Sequence, residues 1–99
     1  MYQKNDKRRL YQLIDKFLER EISTPVFCDE FYYCFDLELD YATLTSLEYS
    51  TFSELGTVCG RFSEYEEDHI QYPKGFYTEE EVLNKVLATK EKLCNKNTY

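Results

Sequence analysis

Hydrophobic residues recur at helical spacing along most of the chain and divide it into four amphipathic segments. The first is expected to form a helix from about Asn5 or Asp6 to Arg20. Its apolar stripe follows the positions i, i+3, i+4, i+7 and i+8, which face the core in a surface helix. The members of this stripe are Leu10, Leu13, Ile14, Phe17 and Leu18.

The second segment carries the start signal of a helix. Thr24 is the expected N-cap, and Pro25 occupies the first helical position, where its missing N–H costs nothing. The helix is expected to end near Glu38 or Asp40. Its core stripe comprises Phe27, Phe31, Cys34 and Phe35.

The third segment is expected to start near Thr43 or Thr45. Gly56 and Gly60 lie inside its pattern, where each costs about 1 kcal/mol relative to Ala. Their spacing of four residues favours the close approach of a neighbouring helix. The expected inward face comprises Leu44, Leu47, Phe52, Leu55, Cys59 and Phe62.

The last segment begins with a capping box, in which Thr78 and Glu81 satisfy each other's backbone N–H groups. Before it, residues 63–77 are expected to form a loop or a frayed helical extension, because Pro73 and Gly75 interrupt the pattern. A connection of this length is often functional. The stripe of the last helix comprises Val82, Leu83, Val86, Leu87 and Leu93, and the chain from Asn95 to Tyr99 is expected to fray.

Four amphipathic helices with mostly short joins predict an all-α fold, an antiparallel four-helix bundle. The 99 residues, of which 42% are hydrophobic, are sufficient for one core. We therefore expect residues 1–99 to form a single domain.

Acidic residues are concentrated in the middle of the chain. Between Cys28 and Glu81 there are fourteen Asp or Glu residues and two basic residues, and the formal net charge of the chain is −7. This balance argues against direct binding to nucleic acid or to anionic membranes, since both need a basic surface. It favours a cationic protein partner. Glu48 and Glu54 are expected on a solvated helix face.

Cytoplasmic localisation is expected. No apolar run approaches the roughly 20 residues that span a bilayer. The basic N-terminus leads into charged amphipathic sequence rather than into the apolar segment of a signal peptide. In a reducing compartment the four cysteines, which lie within helical patterns, are expected to be buried apolar residues rather than a disulfide framework.

Catalytic and metal-binding chemistry finds little support in the chain. Glu66 and His69 have the spacing used in carboxylate-bridged metal bundles, but such sites need two of these motifs, and His69 is the only histidine. A nucleophile built from Cys59 and His69 is conceivable, but cysteines on core faces are typically inert. The chain also lacks a nucleotide fingerprint. We therefore expect a protein that is not an enzyme and binds no metal and no cofactor.

The densest acidic run is interleaved with aromatic residues. Tyrosines beside a few charged anchors are typical of protein interfaces, whereas a solvated, self-repelling loop is the alternative interpretation. The candidate partner-binding residues are Glu64, Tyr65, Glu66, Glu67, Asp68, His69 and Tyr72. A second patch, chosen by acidity alone, comprises Asp36, Glu38 and Asp40.

Three segments together resemble a known family. Residues 17–31, FLEREISTPVFCDEF, combine a Phe-Leu helix end, an Ile-Ser turn and a Phe-rich second helix. Arg61 and Phe62 precede the acidic stretch to Asp68, and Gly75 leads into the helix that starts at Thr78. In order and spacing these segments, which span about residues 10–93, resemble the colicin D-type immunity proteins. That family also includes immunity proteins of contact-dependent growth inhibition systems.

The resemblance implies a small four-helix bundle that binds the C-terminal ribonuclease domain of a cognate toxin and blocks its active site. In that family the acidic surface resembles the phosphates of the tRNA substrate. By position, the acids of residues 64–68 would face the basic cleft of the toxin, with Tyr65 and His69 beside them. The alternatives are an acidic nucleic-acid mimic that binds a cationic DNA-binding protein, and an adaptor whose acids are merely solvated.

Overall fold

The computed structural model describes residue 3 and residues 5–97, with side chains described up to residue 94. Within these residues the fold is all-α, as the sequence predicts, with one isolated β-bridge and no strand. The elements are α1 (Arg8–Leu18), α2 (Thr24–Tyr33), a π-helical turn (Cys34–Glu38), a 3-10 turn (Tyr41–Thr43), α3 (Ser46–Gly60), α4 (Glu66–Gln71) and α5 (Glu79–Asn97).

The C-terminal end of the chain differs from the expected fraying. Fraying was expected from Asn95 to Tyr99, but the backbone of α5 is helical to Asn97. Thr98 and Tyr99 lie outside the described residues.

None of the helices described is both long enough and apolar enough to cross a membrane.

The four longer helices enclose one core. α1 contacts α2 and α5, and α3 contacts the same two helices. An aromatic column, made of Phe27, Phe31 and Phe35, runs along α2 and the π-helical turn at a spacing of four residues. Phe17 of α1 stacks on this column at Phe27, with ring centroids 4.7 Å apart, and Phe52 of α3 contacts Phe31 and Phe35. Other fully buried core side chains are Leu10, Leu55, Val82, Val86 and Leu93.

The ends of α1 differ from those expected. The helix begins at Arg8 and ends at Leu18, so it is shorter at both ends than the predicted span to Arg20. Its end has a clear cause, because Arg20 adopts the left-handed conformation with φ of 62°. That conformation stops a right-handed helix and is common just after a C-cap.

The expected N-cap of α2 is wrong by one residue. Ser23 caps the helix, since its Oγ accepts a hydrogen bond from the Val26 N–H at 3.4 Å. Thr24 is buried instead, and its hydroxyl donates to Glu79 Oε1 at 2.8 Å. This bond joins the start of α2 to the start of α5. The predicted end near Glu38 is confirmed, because the chain leaves the helix through the π-helical turn.

The predicted capping box of α5 is confirmed by two hydrogen bonds between Thr78 and Glu81. Its predicted stripe is only partly right, because Leu83 and Leu87 are exposed and line an open groove beside Ile22. α5 packs mainly against α1 and α3, so only a narrow face of α5 is buried. That face comprises Val82, Val86, Thr89 and Leu93.

The cysteines are free thiols, and three of the four are buried as expected. Cys94 is exposed, which corrects the expectation for that residue. Gly56 and Gly60 both lie against α2, but a Cβ at Gly56 would meet Phe35 at an ordinary 3.7 Å. At Gly60 the nearest atom, on the Tyr32 ring, would be 3.3 Å away. The close approach expected at both glycines therefore applies chiefly to Gly60.

Glu48 was expected on a solvated face, and this expectation is wrong, whereas Glu54 is exposed as predicted. Glu48 completes a capping box with Thr45, accepts a hydrogen bond from the Tyr11 hydroxyl at 2.5 Å and pairs with Lys7 Nζ at 2.9 Å. Burial opposes its ionisation, but the bonds from the Thr45 N–H, Tyr11 and Lys7 outweigh it and hold the pKa of Glu48 below its ordinary value. The carboxylate thus joins α1 to the start of α3.

We predict that Glu48→Gln lowers the free energy of unfolding at pH 7 by about 1–3 kcal/mol, because it removes a charged acceptor from a buried network. Since the folded-state pKa is depressed, this contribution is fully present above the ordinary pKa of 4.5. It is lost as the pH falls through the lower folded-state value. Urea unfolding from pH 7 to pH 3 should therefore show a smaller acid-dependent loss for the variant than for the parent chain.

Glu54→Gln is the matched control on the same helix. Its carboxylate is exposed, and its contacts with Lys85 and Lys92 are 3.8 Å long. Exposed pairs of this kind contribute at most about 1 kcal/mol. Equal unfolding curves for the two variants would contradict the structural role assigned to Glu48.

Candidate functional site

The acidic candidate residues lie on a loop whose two ends are tied together. A parallel β-bridge pairs Phe62 with Tyr77. It consists of a hydrogen bond from the Tyr77 N–H to the Arg61 carbonyl at 2.7 Å and one from the Ser63 N–H to the Tyr77 carbonyl at 3.2 Å. Residues 63–76, here called the closed loop, therefore form a compact excursion of the type known as an Ω-loop.

A short helix occupies the first half of the closed loop, where the sequence predicted a loop or a frayed extension. α4 runs from Glu66 to Gln71 and has three acids in its first turn. Acids at this end of a helix interact favourably with its dipole. The sequence signal was obscured because α4 has no side-chain N-cap and its residues are almost all polar.

Ser63 organises the interior of the closed loop. Its buried hydroxyl accepts a hydrogen bond from the Tyr65 N–H at 3.1 Å and donates one to Asp68 Oδ2 at 2.5 Å. His69 Nε2 lies 2.8 Å from the Ser63 carbonyl oxygen, and since a carbonyl only accepts, Nε2 carries a proton in this contact. Asp68 and His69 are both half-buried, and their contacts with Ser63 hold the loop together.

The remaining candidates on the loop point outward. Glu64, Glu66 and Glu67 are exposed, and no Lys or Arg of the described chain forms an ion pair with them. Tyr65 is 66% exposed and Tyr72 is 54% exposed. The outer face of the closed loop thus combines carboxylates without cationic partners and large aromatic rings.

Sequence reasoning missed Ile70, which is 72% exposed on α4. It follows Glu66 by four residues and Glu67 by three, so it shares the outer face of α4 with both carboxylates. A branched aliphatic residue inside a polar run is the signal that could have identified it. The outer face therefore carries an aliphatic residue as well as aromatic rings.

The second acidic patch lies elsewhere. Asp36 and Glu38 are in the π-helical turn, and Asp40 caps the 3-10 turn by accepting from the Ala42 N–H at 3.0 Å. These residues precede α3, whereas the closed loop follows it. Because the 15-residue α3 rises by about 22 Å, the two acidic groups sit at opposite ends of that helix.

A small groove lies between the closed loop and the helices, and its lining includes Cys28, Cys59, Tyr65 and Asp68. Its volume of about 250 Å³ is below the range of roughly 300–1,000 Å³ that is usual for ligand pockets. The hydrogen bond with the Cys28 thiol and burial strongly raise the pKa of Cys59, so its thiol stays protonated at neutral pH. Among the described residues no group of three or more His, Cys, Asp or Glu is placed to hold a metal ion.

Comparisons of the chain with protein-family models, with curated proteins and with solved structures gave no match. An exposed surface of carboxylates, tyrosine rings and one aliphatic side chain on a tied loop is suited to binding a cationic surface.

We predict that Ser63→Ala loosens the closed loop without unfolding the helices. The variant removes the acceptor of the Tyr65 N–H and the donor to Asp68, at an expected cost of about 1–2 kcal/mol. Amide hydrogen exchange should accelerate at Tyr65 and through α4, and it should be unchanged in α3 and α5.

Ser50→Ala is the control, because Ser50 is exposed and its hydroxyl donates only to the Leu47 carbonyl within its own helix. It should leave exchange in the closed loop unaltered. Unchanged protection of Tyr65 in Ser63→Ala would show that the Ser63 hydroxyl does not hold the loop.

Proposed function

We propose that this chain is an immunity protein, a non-enzymatic inhibitor that binds the basic active site of a toxin ribonuclease, most simply a tRNase. The observation that carries the proposal is the exposure of Glu64, Glu66 and Glu67, without a cationic partner among the described residues, on a loop tied at its base. The resemblance of the chain to the colicin D-type immunity family supports the same role.

The physical case begins with charge. A ribonuclease cleft that binds phosphates is lined with basic side chains, and it attracts a surface of closely spaced carboxylates. Electrostatic steering raises association rates to about 10⁸ M⁻¹s⁻¹ at low salt, compared with about 10⁵–10⁶ for neutral surfaces. Fast capture suits an inhibitor that has to act before its target cleaves RNA.

Charge alone supplies little affinity, and the apolar side chains of the closed loop supply the rest. Tyr65, Ile70 and Tyr72 are exposed large residues on the same loop as the carboxylates. A few such anchors, desolvated at the centre of an interface, commonly contribute 2 kcal/mol or more each. The hydrogen bonds of Ser63 hold the loop in one conformation, which reduces the entropy lost on binding.

The proposal includes an antiparallel bundle and action in the cytoplasm. Antiparallel packing of α2 and α3 is supported by two contacts. Phe35 near the end of α2 meets Tyr49 near the start of α3, while Cys28 near the start of α2 interacts with Cys59 near the end of α3. In this arrangement the closed loop lies beside the start of α2.

Charge reversal tests the proposed surface. The partner for the test is the C-terminal domain of the large secreted toxin that the proposal requires the neighbouring upstream gene to encode, and the absence of such a gene would count against the proposal. We predict that Glu66→Lys with Glu67→Lys lowers the association rate at least about tenfold at low salt, and that the difference shrinks at high salt as the charges are screened. Surface plasmon resonance at two ionic strengths measures both effects.

The control is Glu80→Lys with Glu91→Lys on α5. It makes the same change in net charge at two exposed sites, one of which is also in the first turn of a helix. An equal loss of affinity in both double variants would show a net-charge effect and would exclude the closed loop as the site. Competition by tRNA supports the ribonuclease target, whereas competition by duplex DNA alone would favour a DNA-binding protein as the partner.

Ile70→Ala tests the apolar anchor separately from charge. We predict that it raises the dissociation rate of the same complex about 10- to 30-fold, corresponding to 1.4–2 kcal/mol, with little change in the association rate. Because Ile70 is 72% exposed in the free protein, the melting temperature should not fall. An unchanged dissociation rate would place Ile70 outside the interface.

A further inference from the structure

The segment from Glu21 to Gly60 contains eight acidic residues and no Lys or Arg. Cations of α1, of its N-cap and of α5 pair with three of these acids: Arg9 pairs with Glu30, Lys7 with Glu48, and Lys85 and Lys92 with Glu54. Asp36 and Glu38, on the π-helical turn, form no ion pair with any described residue. This turn therefore carries negative charge that the rest of the described chain does not neutralise.

Two tyrosines beside the turn are held in a fixed arrangement. The rings of Tyr41 and Tyr49 meet edge to face, with centroids 5.6 Å apart and planes at 84°. Both rings also pack on the buried Phe35, and the Tyr41 hydroxyl donates to the Phe35 carbonyl at 2.7 Å. Yet Tyr41 is 42% exposed and Tyr49 is 49% exposed.

Asp36 lies beside these rings. The Tyr41 hydroxyl donates to the carbonyl of Phe35, the residue immediately before Asp36. Burial together with the charge of Asp36 raises the pKa of Tyr41. Leu37, the residue after Asp36, is 67% exposed. We call the group of Asp36, Leu37, Tyr41 and Tyr49 the aromatic corner.

We propose that the aromatic corner is a docking surface for an arginine side chain presented by a protein partner. Guanidinium stacks on aromatic faces and also pairs with carboxylates through two parallel N–H groups. The corner offers both, since tyrosine rings stand beside a carboxylate that forms no ion pair with a Lys or Arg in the described part of the chain. Lysine, whose compact ammonium is strongly hydrated, matches only the charge.

The position of the corner makes this surface independent of the proposed function. The aromatic corner precedes α3 and the closed loop follows it, at the opposite end of the helix. A partner that covers the closed loop can leave the corner open, and a second basic protein can occupy it. Failure of either proposal therefore leaves the other standing.

NMR titration of the full chain tests the corner directly. The probe is the peptide acetyl-Gly-Arg-Gly-amide, and acetyl-Gly-Lys-Gly-amide is its charge-matched comparison. The arginine peptide should produce saturable shifts in the ring protons of Tyr41 and Tyr49 and in the Asp36 amide. The lysine peptide should bind at least about threefold more weakly, the difference expected for loss of ring stacking at an exposed site.

Two variants assign the effect to named groups. Asp36→Asn removes the charge without removing a ring and should weaken the arginine peptide at least threefold, while Glu91→Gln, the same loss of one charge at an exposed site on α5, should leave its binding at the corner unchanged. Tyr49→Leu, accepted only if its melting curve stays cooperative, should abolish the preference for arginine over lysine. Equal binding of the two peptides, shifts spread evenly over all acidic surfaces, or no saturable shift at the corner would each overturn the proposal.

Discussion

The closed loop and the aromatic corner both depend on the aromatic column in the core of the molecule. Phe27, Phe31 and Phe35 lie on one face of α2 and its π-helical turn, and helices α1 and α3 pack on them through Phe17 and Phe52. Aromatic side chains bury about 150–250 Å² each, more than other apolar residues of this core. Phe35 also supports Tyr41 and Tyr49, while Cys28, the residue after Phe27, lines the groove beneath the closed loop.

Much of the fold follows from residue patterns that lie within single segments of the sequence. The stripe of α1, the capping box at Thr78 and the end of the second helix near Glu38 depend on residue spacing within one segment. Such patterns require no knowledge of distant neighbours. They predict the all-α class and the location of the long helices well.

The errors share a different cause, which is contact between segments distant in sequence. Glu48 resembles a surface residue until Lys7 and Tyr11 of α1 are placed beside it. Leu83 and Leu87 resemble core residues until α5 is found to bury only one narrow face. For the candidate site, composition locates the acidic run and the structure shows which of its side chains are exposed, but the bridge between Phe62 and Tyr77 that closes the loop has no signature in the sequence.

The bridge at the base of the closed loop also has an evolutionary consequence. Residues 64, 66, 67, 70 and 72 are exposed, so replacing them removes little core packing, and most exchanges should alter stability by less than about 0.5 kcal/mol. The loop can therefore exchange its outward side chains while the helices beneath it stay the same. A protein built in this way can follow a changing partner by mutation without approaching the stability threshold that limits changes in a core.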